Sequence, residues 1–346
     1  MRAAGARLSV VGARLCVVGG GVLGLAVAAD AVKAGWRVTL LEREPALCRV
    51  ASGASFAWAN AHAKRPASYA ALSRAGLRRH AEASATGSEP WFTAMAADAW
   101  GTRVVEGGAV DVAAFARAHA RAIRDHGGVV RTGASVVRVD TDADGARVVL
   151  DSGEPVVADT VVLAAGVATP ALLDGLGTAQ RLAVLGPIGA LARVRWPSGW
   201  AGGLVLGDEL SVRPDGDDRL LLQSLSLERA LVDEALPLDE RAAWRRLREL
   251  AQRHGLPLGD DDLLELRFAH RPLPPDGLPI AGWAAERVYA VVAHSGVTLA
   301  PALGRLVVAE LGGEPQPELQ RCRPPGSVPN HSQKEHTHGK EHTHGH

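Results

Sequence analysis

The chain begins with a short apolar run, a glycine-rich turn and an alanine-rich stretch, followed by a second apolar run. The first run, residues 15–18, predicts a buried strand, and the alanine-rich stretch behind the glycines predicts a helix. The second run, residues 37–41, predicts another strand and leads directly into the carboxylate Glu42. This strand–helix–strand order predicts a parallel sheet at the start of the chain.

A similar alternation returns after residue 107. Asp111 can cap a helix over residues 112–126, which carries one apolar face and ends at a glycine pair. Strand patterns follow at residues 129–132, 136–140, 147–151 and 160–166. Late in the chain, an apolar strand at 288–292 precedes a helix predicted over about 300–311. Pro301 would lie in the first turn of that helix, where its missing N–H has no cost.

The pattern between these parts is different. From about residue 182 to 227, short β-rich runs are broken by proline and glycine, and residues 213–217 resemble a hairpin turn. An amphipathic helix is predicted over residues 239–254. The whole pattern predicts an α/β protein, α+β overall, in which an antiparallel-sheet domain is inserted into a discontinuous Rossmann-like nucleotide domain.

These shifts in pattern give expected limits for each part. The ranges are an N-terminal extension, 1–14; the nucleotide domain, 15–84, 107–177 and 268–319; the inserted domain, 85–106 and 178–267; and a tail, 320–346. The His-rich tail repeats a short polar motif and cannot bury a core, so we expect it to be disordered. Its histidines could capture divalent metals, but we predict no metal site with a catalytic part.

Composition narrows the classes of function. The 346 residues carry 38 basic and 38 acidic side chains, so nothing favours nucleic acid or an anionic membrane as a partner. No apolar segment is long enough to span a bilayer. Three cysteines predict no disulfide framework, and the default expectation is a reducing cytoplasm. The sequence gives no indication of oligomeric state.

The glycine-rich turn has the features of a dinucleotide site. Gly19 permits a tight turn, Gly21 allows backbone to approach a pyrophosphate, and Gly24 allows the helix to pack closely on the strand. The helix then begins at Val22 and Leu23, whose N–H groups are available to phosphate. Glu42 follows Gly24 by eighteen residues, near the spacing at which an acid meets a ribose hydroxyl. The alternative is a glycine-rich turn without a ligand.

Three segments together resemble the FAD-dependent D-amino acid oxidase family, the group that includes glycine oxidase, sarcosine oxidase and D-amino acid dehydrogenase. They are residues 17–44, residues 158–170, and residues 271–282 together with 294–304. The resemblance implies an FAD-binding domain with an inserted substrate domain. It also implies non-covalent FAD, because this chain has no cysteine in the late flavin loop and Phe56 near the early one. His62 is the remaining candidate for a covalent link.

The resemblance further implies cofactor contacts outside the glycine-rich turn. The loop after the second strand would touch pyrophosphate and flavin, and the start of the late helix would point its N-terminus at flavin N1. Negative charge develops at N1 on reduction, and a helix N-terminus stabilises such charge. The implied contacts are Arg43, Ser52, Gly53, Ala54, Val137, Ala165, Gly166, Gly296, Val297 and Thr298.

Two side chains are candidates for acting on substrate. The arginine that matches Arg271 binds the substrate carboxylate in family members that act on amino acids, and a guanidinium fork suits a carboxylate. The alternative for Arg271 is a structural salt bridge. His294 would lie beside the flavin and orient substrate or tune N5, unless it is a core histidine bonded to backbone. Arg213 could also face substrate, although an arginine beside a turn is usually solvated.

Only one dinucleotide fingerprint is present, so the electrons should come from the substrate itself. Hydride would leave a carbon next to nitrogen for flavin N5, which converts an amino acid or a secondary amine into an imine. The electron acceptor could be O2 or another molecule, because Lys64 is the one plausible lysine near the flavin and the substrate domain contains none. The alternatives are an FAD-dependent monooxygenase and a non-catalytic flavin-binding partner subunit.

Overall fold

The computed structural model describes residues 10–87, 89–98, 104–176, 182–197, 200, 202–233 and 239–325. Residues 1–9 and 326–346 lie outside the described part. Most of the expected N-terminal extension and most of the tail expected to be disordered fall in these two ranges. The strands are β1 Arg14–Val18, β2 Arg37–Leu41, β3 Trp58–Asn60, β4 Phe92–Asp98, β5 Val104–Val110, β6 Val129–Arg131, β7 Val136–Thr141, β8 Ala146–Leu150, β9 Pro155–Ala158, β10 Thr160–Leu163, β11 Leu185–Arg195, β12 Ser211–Pro214, β13 Arg219–Gln223, β14 Leu263–Pro272, β15 Ile280–Ala285 and β16 Val288–Val292. The α-helices are α1 Val22–Lys33, α2 Ala67–Thr86, α3 Val112–Asp125, α4 Thr169–Asp174, α5 Leu225–Val232, α6 Glu240–Arg253 and α7 Gly296–Leu311.

The central sheet has the strand order β15-β16-β10-β1-β2-β6. Its strands are parallel except for β15, which pairs antiparallel with β16 at one edge. Every residue of β16 is buried, as expected of a strand covered on both faces. Helices α1 and α7 contribute to one core cluster with β1 and β2. The prediction of a parallel sheet from the early and late apolar runs is therefore confirmed.

The second sheet is antiparallel in the order β12-β13-β11-β14, and a three-stranded sheet β3-β5-β4 lies beside it. Val205 bridges the two, because it pairs with Asp98 of β4 and with Val212 of β12. Helices α5 and α6 cover one face with Leu227 and Trp244. A small sheet β7-β8-β9 completes the fold.

The second sheet confirms an antiparallel region, and its β12–β13 hairpin lies where the turn at 213–217 was predicted. Two features cross the expected domain limits. Strand β14 runs without a break through residue 267. Strands β3 and β5 pair in the three-stranded sheet beside the second sheet, although their residues fall largely in the ranges assigned to the nucleotide domain. The residue ranges of the two domains stay a prediction.

Helix α7 begins at Gly296, four residues earlier than predicted, so Pro301 lies inside the helix rather than in its first turn. A proline at this position cannot donate a hydrogen bond to the carbonyl of Val297, four residues back. The ring nitrogen Nε2 of His80, from α2, lies 2.7 Å from that carbonyl oxygen and takes the place of the missing donor. The early start of α7 therefore depends on a contact that the local sequence does not contain.

The partners of His80 fix its protonation state. Trp91 donates its indole N–H to Nδ1 at 3.2 Å, so Nδ1 is an acceptor and Nε2 must carry the hydrogen that points at Val297. Burial lowers the pKa of His80 from 6.5 to about 4. A second proton would place two N–H groups opposite each other at Trp91, so the fold favours the neutral ring.

We predict that His80→Gln makes the protein less sensitive to acid. The unfolded chain protonates its histidine near pH 6.5, whereas folded His80 stays neutral down to about pH 4, so stability falls as the pH falls through this window. From pH 7 to pH 5 the wild type should lose about 2 kcal/mol through this one group. A glutamine can still donate to Val297 but does not titrate.

Urea unfolding at the two pH values measures the difference. His119, whose pKa burial also lowers to about 4, should leave part of the acid sensitivity in place. His126→Gln is the matched control, because His126 is exposed at the end of α3. If the free energy of unfolding falls by the same amount from pH 7 to pH 5 in His80→Gln and in the wild type, the prediction is wrong.

Candidate active site

A cavity of about 940 Å³ lies at the carboxyl ends of β1, β10 and β16 and extends to β13 and β14 of the second sheet. In open α/β sheets, ligands bind outside the carboxyl ends of the strands. The volume is at the upper end of the range for small-molecule and cofactor sites, about 300–1,000 Å³. The N-terminal residues of both α1 and α7 line it.

The glycine-rich turn brings backbone unusually close to backbone. Gly19 has φ +110°, and a Cβ there would lie 2.4 Å from the carbonyl oxygen of Ala164. A Cβ on Gly24 would lie 1.9 Å from the carbonyl oxygen of Gly19, so α1 can approach the turn only because this position is glycine. The first N–H groups of α1 have no partner within the helix, and that of Val22 donates to Ser52 Oγ at 3.2 Å. This backbone cradle fits a pyrophosphate.

Glu42 lies at the far end of the cavity, where the sequence predicts a ribose contact. Its Oε2 accepts the N–H of Gly20 at 2.6 Å, and its Oε1 accepts the N–H of Glu44 at 2.8 Å. These bonds orient a buried carboxylate and leave it further lone pairs for hydroxyl donors. Arg43 lines the same end and pairs with Glu44 on the surface.

At the other end of the cavity, Gly296 opens α7 directly beside the start of α1. A Cβ on Gly296 would lie 3.7 Å from Val22 and from Leu23, so the two helix N-termini are adjacent. Ser295, just before α7, accepts hydrogen bonds from Lys64 Nζ and from the Tyr69 hydroxyl, each at 2.9 Å. Burial lowers the pKa of Lys64, whose ammonium also lies 5.4 Å from the centre of the Tyr69 ring.

Arg271 lines the cavity from β14 and forms an ion pair with the buried Glu228 of α5. The carboxylate of Glu228 also accepts the side-chain amide of Gln223 at 2.9 Å and the N–H of Ala190 at 3.3 Å. The guanidinium lies against Gly189 of β11, where a Cβ would be 2.7 Å from Arg271 Nε. The salt bridge considered from the sequence is therefore present, and the guanidinium still borders the cavity.

His294 lines the cavity together with Arg271 and Lys64, and Lys64 donates to the neighbouring Ser295. Burial, followed by the charges of Arg271 and Lys64, lowers its pKa from 6.5 to about 4. The ring is therefore neutral at physiological pH and can accept a hydrogen bond from an amine, which an imidazolium cannot do.

Most of the residues that the sequence singled out come together here. Among the predicted cofactor contacts, two do not line the cavity: Gly24 packs on the turn, and Gly53 packs on Cys48, whose carbonyl oxygen would lie 2.2 Å from a Cβ. The others line it: Gly19, Gly21, Val22, Leu23, Glu42, Arg43, Ser52, Ala54, Val137, Ala165, Gly166, Arg271, His294, Gly296, Val297 and Thr298. Their individual roles toward a cofactor or a substrate stay predictions.

Arg213 is neither solvated nor at the cavity, contrary to both possibilities considered from the sequence. Its side chain is buried and donates to the carbonyl oxygens of Phe56 at 2.6 Å, Pro214 at 2.8 Å and Val110 at 3.4 Å. Arg213 therefore connects β12 to the loop that contains Phe56 and to the end of β5.

The sequence also missed Glu228 and the contacts of Tyr69. Glu228 looks locally like a solvated charge in the first turn of a short helix. The scarcity of lysine before the tail singled out Lys64, but no local signal pointed to its contact with Ser295 or to Glu228.

A family model for FAD-dependent oxidoreductases, the DAO family, matches residues 14–94 and 89–310. The chain belongs to this family and is an FAD-dependent oxidoreductase. The glycine cradle, the two helix N-termini and the oriented Glu42 fit the pyrophosphate and ribose of FAD. A search of curated proteins gave no match.

Solved structures of the same fold cover almost the whole chain. Iminodiacetate oxidase from Chelativorans sp. BNC1 is 19% identical with a TM-score of 0.70, over 90% of this chain and 99% of that one. Glycine oxidase from Geobacillus kaustophilus is 18% identical with a TM-score of 0.70, over 90% and 98%. L-amino acid deaminase from Proteus vulgaris, with its specific insertion deleted, is 20% identical with a TM-score of 0.70, over 92% and 94%.

Two further properties concern the described residues alone. None of their helices has the length and apolar character needed to cross a membrane. They also contain no group of three or more His, Cys, Asp or Glu side chains placed to hold a metal ion.

We predict that denaturation releases all of the FAD. The one cysteine that lines the cavity, Cys48, has its pKa raised by burial to about 12, and its thiol lies 3.6 Å from the carbonyl oxygen of Gly20 at the dinucleotide end. A protonated, buried thiol is a poor nucleophile. His62 is exposed and does not line the cavity.

The protein is precipitated with acid, and the flavin absorbance of the pellet and of the supernatant is measured. Yellow pellets from the wild type would contradict the prediction. Cys48→Ser and His62→Gln would then show which side chain holds the flavin.

Proposed function

We propose that this enzyme oxidises an amino acid or a secondary amine at a C–N bond and that its product is an imine. The bound FAD would supply the hydride acceptor. The imine would be hydrolysed by water, and O2 or another molecule would take the electrons from the cofactor. A cytoplasmic location is part of the proposal and rests on the three cysteines, all of which are free and buried.

The observation that carries this proposal is the grouping of Arg271, Lys64 and a neutral His294 at the end of the cavity that faces the second sheet. Positive charges near an amine disfavour its ammonium form, and hydride can leave only when the nitrogen has a free lone pair. The positive charge of Lys64 therefore favours the reactive form of the substrate, whereas that of Arg271 is largely balanced by Glu228. His294 can accept a hydrogen bond from the amine and hold its orientation.

Arg271 is proposed to orient the carboxylate of an amino-acid substrate. Glu228 fixes the guanidinium through Nη2, so the remaining donors are held in place rather than free to rotate. Positioning of this kind lowers the barrier to hydride transfer without a side-chain base. Glycine, iminodiacetate and L-amino acids, which appear in the names of the similar structures, each combine an amine with a carboxylate.

The decisive experiment is an anaerobic bleaching screen of the holoenzyme. Glycine, sarcosine, iminodiacetate, D- and L-amino acids and cyclic amines are added in turn, and flavin absorbance is followed. Bleaching by one of these compounds is the expected result. Bleaching by NAD(P)H alone would instead favour a monooxygenase, and a colour stable to every amine would favour a non-catalytic flavoprotein.

We predict that Arg271→Lys lowers kcat/KM for an amino acid far more than for the analogue that lacks the carboxylate. Lysine keeps the charge but loses the planar fork, and a hydrogen bond to a charged group contributes about 1.5–3 kcal/mol, so the loss should be about 10- to 100-fold.

Stopped-flow flavin reduction with both compounds gives the two values. Arg193→Lys is the matched control, because Arg193 pairs with Asp215 and Glu265 on the second sheet and does not line the cavity. Equal losses for both compounds in Arg271→Lys would contradict the assigned role.

A further inference from the structure

The charges around His294 do not balance. Arg271 and Lys64 line the same cavity as His294, and Lys64 donates a hydrogen bond to Ser295, the next residue along the chain. Both positive charges also contribute to the lowered pKa of His294. His294 itself is neutral and contributes no charge. Whether the site as a whole is neutral therefore depends on which cation has a carboxylate partner.

Arg271 has such a partner. Its guanidinium is paired with Glu228, and the side chain of Glu228 is only 5% exposed. Three further features hold this carboxylate in place: Gln223, the N–H of Ala190 and the N-terminal turn of α5. The pair is therefore well anchored and close to neutral, so Arg271 can donate hydrogen bonds but supplies little net charge.

Lys64 has no carboxylate within 4.0 Å among the residues that the structure describes. Its ammonium has a neutral hydroxyl, Ser295, and the face of a neutral ring, Tyr69, as its contacts. The carboxylates that line the cavity are Glu42, which is held by backbone amides at the dinucleotide end, and Asp208, which is exposed. Within the described part of the chain, Lys64 is thus a half-buried positive charge that no carboxylate balances.

A half-buried cation gains most from a ligand that brings the missing charge. A carboxylate placed beside Lys64 would form a charge-assisted hydrogen bond in a region partly shielded from water, where such bonds are strongest. The same ligand could receive hydrogen bonds from Arg271 without having to neutralise it.

We propose that Lys64, rather than Arg271, supplies the net positive charge that binds the carboxylate of the substrate. The Arg271–Glu228 pair is then neutral and fixed in orientation, and Arg271 donates hydrogen bonds to the same carboxylate. This inference rests on the proposed function, because it takes a carboxylate-bearing amine as the substrate, and it names the residue that selects for that class.

The test measures ligand binding to the holoenzyme without turnover. Benzoate and benzamide have nearly the same shape and differ in charge, so they are titrated by isothermal calorimetry, with acetate as a smaller carboxylate. In Lys64→Gln, the Kd of benzoate should rise by about 10- to 100-fold, the loss expected for a hydrogen bond between charged groups. The Kd of benzamide should stay the same.

The chain offers a matched control. Lys33 is the one other lysine before the tail, and it lies at the end of α1 near Asp30, outside this cavity. Lys33→Gln should bind benzoate as the wild type does. Lys64→Arg, which keeps the charge, should restore most of the affinity, and the flavin content of each variant reports that the fold is intact.

Two results would overturn the proposal. One is an unchanged Kd for benzoate in Lys64→Gln. If this variant instead alters the reduction potential of the flavin or its reoxidation by O2, Lys64 acts on the cofactor and not on the carboxylate. The other is failure of both benzoate and acetate to bind the wild type. If no amine bleaches the flavin, the proposed function fails, but the benzoate titration still decides the role of Lys64.

Discussion

The close packing of α1 against α7 is the constraint on which the site depends. A Cβ on Gly304 would lie 2.9 Å from the backbone carbonyl of Ala26, so the two helices touch nearly backbone to backbone. Because the strands before them, β1 and β16, run in the same direction in the sheet, both helices begin at the same edge. Two helix N-termini, each with a partial positive charge, therefore face one cavity, which suits an anionic dinucleotide.

Helix α2 fixes the exact position of the α7 start. Four of its residues, at intervals of three or four, form one buried face: Tyr69, Ser73, Gly76 and His80. Tyr69 binds Ser295 before the helix, and His80 binds the carbonyl of Val297 that Pro301 leaves without a donor. The polar groups of this face therefore hold the turn from which His294 enters the cavity.

The same feature explains what the sequence could and could not predict. The central strands follow from apolar runs, and Asp111 caps α3 as its local pattern indicated, by accepting the N–H of Ala114. Helix α2 gave no comparable signal, because Leu72 is the one aliphatic side chain among its buried residues and the others are aromatic, polar or small. The start of α7 was misplaced because a local rule for Pro301 cannot include a histidine 217 residues before its acceptor. The glycine turn was predictable, since the residues that define it lie within six positions.

The pairing of Arg271 with Glu228 could not be predicted from a local pattern either. Glu228 is 43 residues away, and the fold alone makes it buried. A buried carboxylate without a cation would carry a large desolvation cost, and the pairing of Glu228 with Arg271 offsets it. Once the pair has formed, however, a substrate carboxylate that relied on Arg271 alone would bring an unbalanced negative charge beside Glu228. A second cation that is not already paired resolves this conflict. The position of Lys64 next to His294 therefore has an electrostatic reason, and an amine without a carboxylate would leave that charge unmatched, which disfavours its binding.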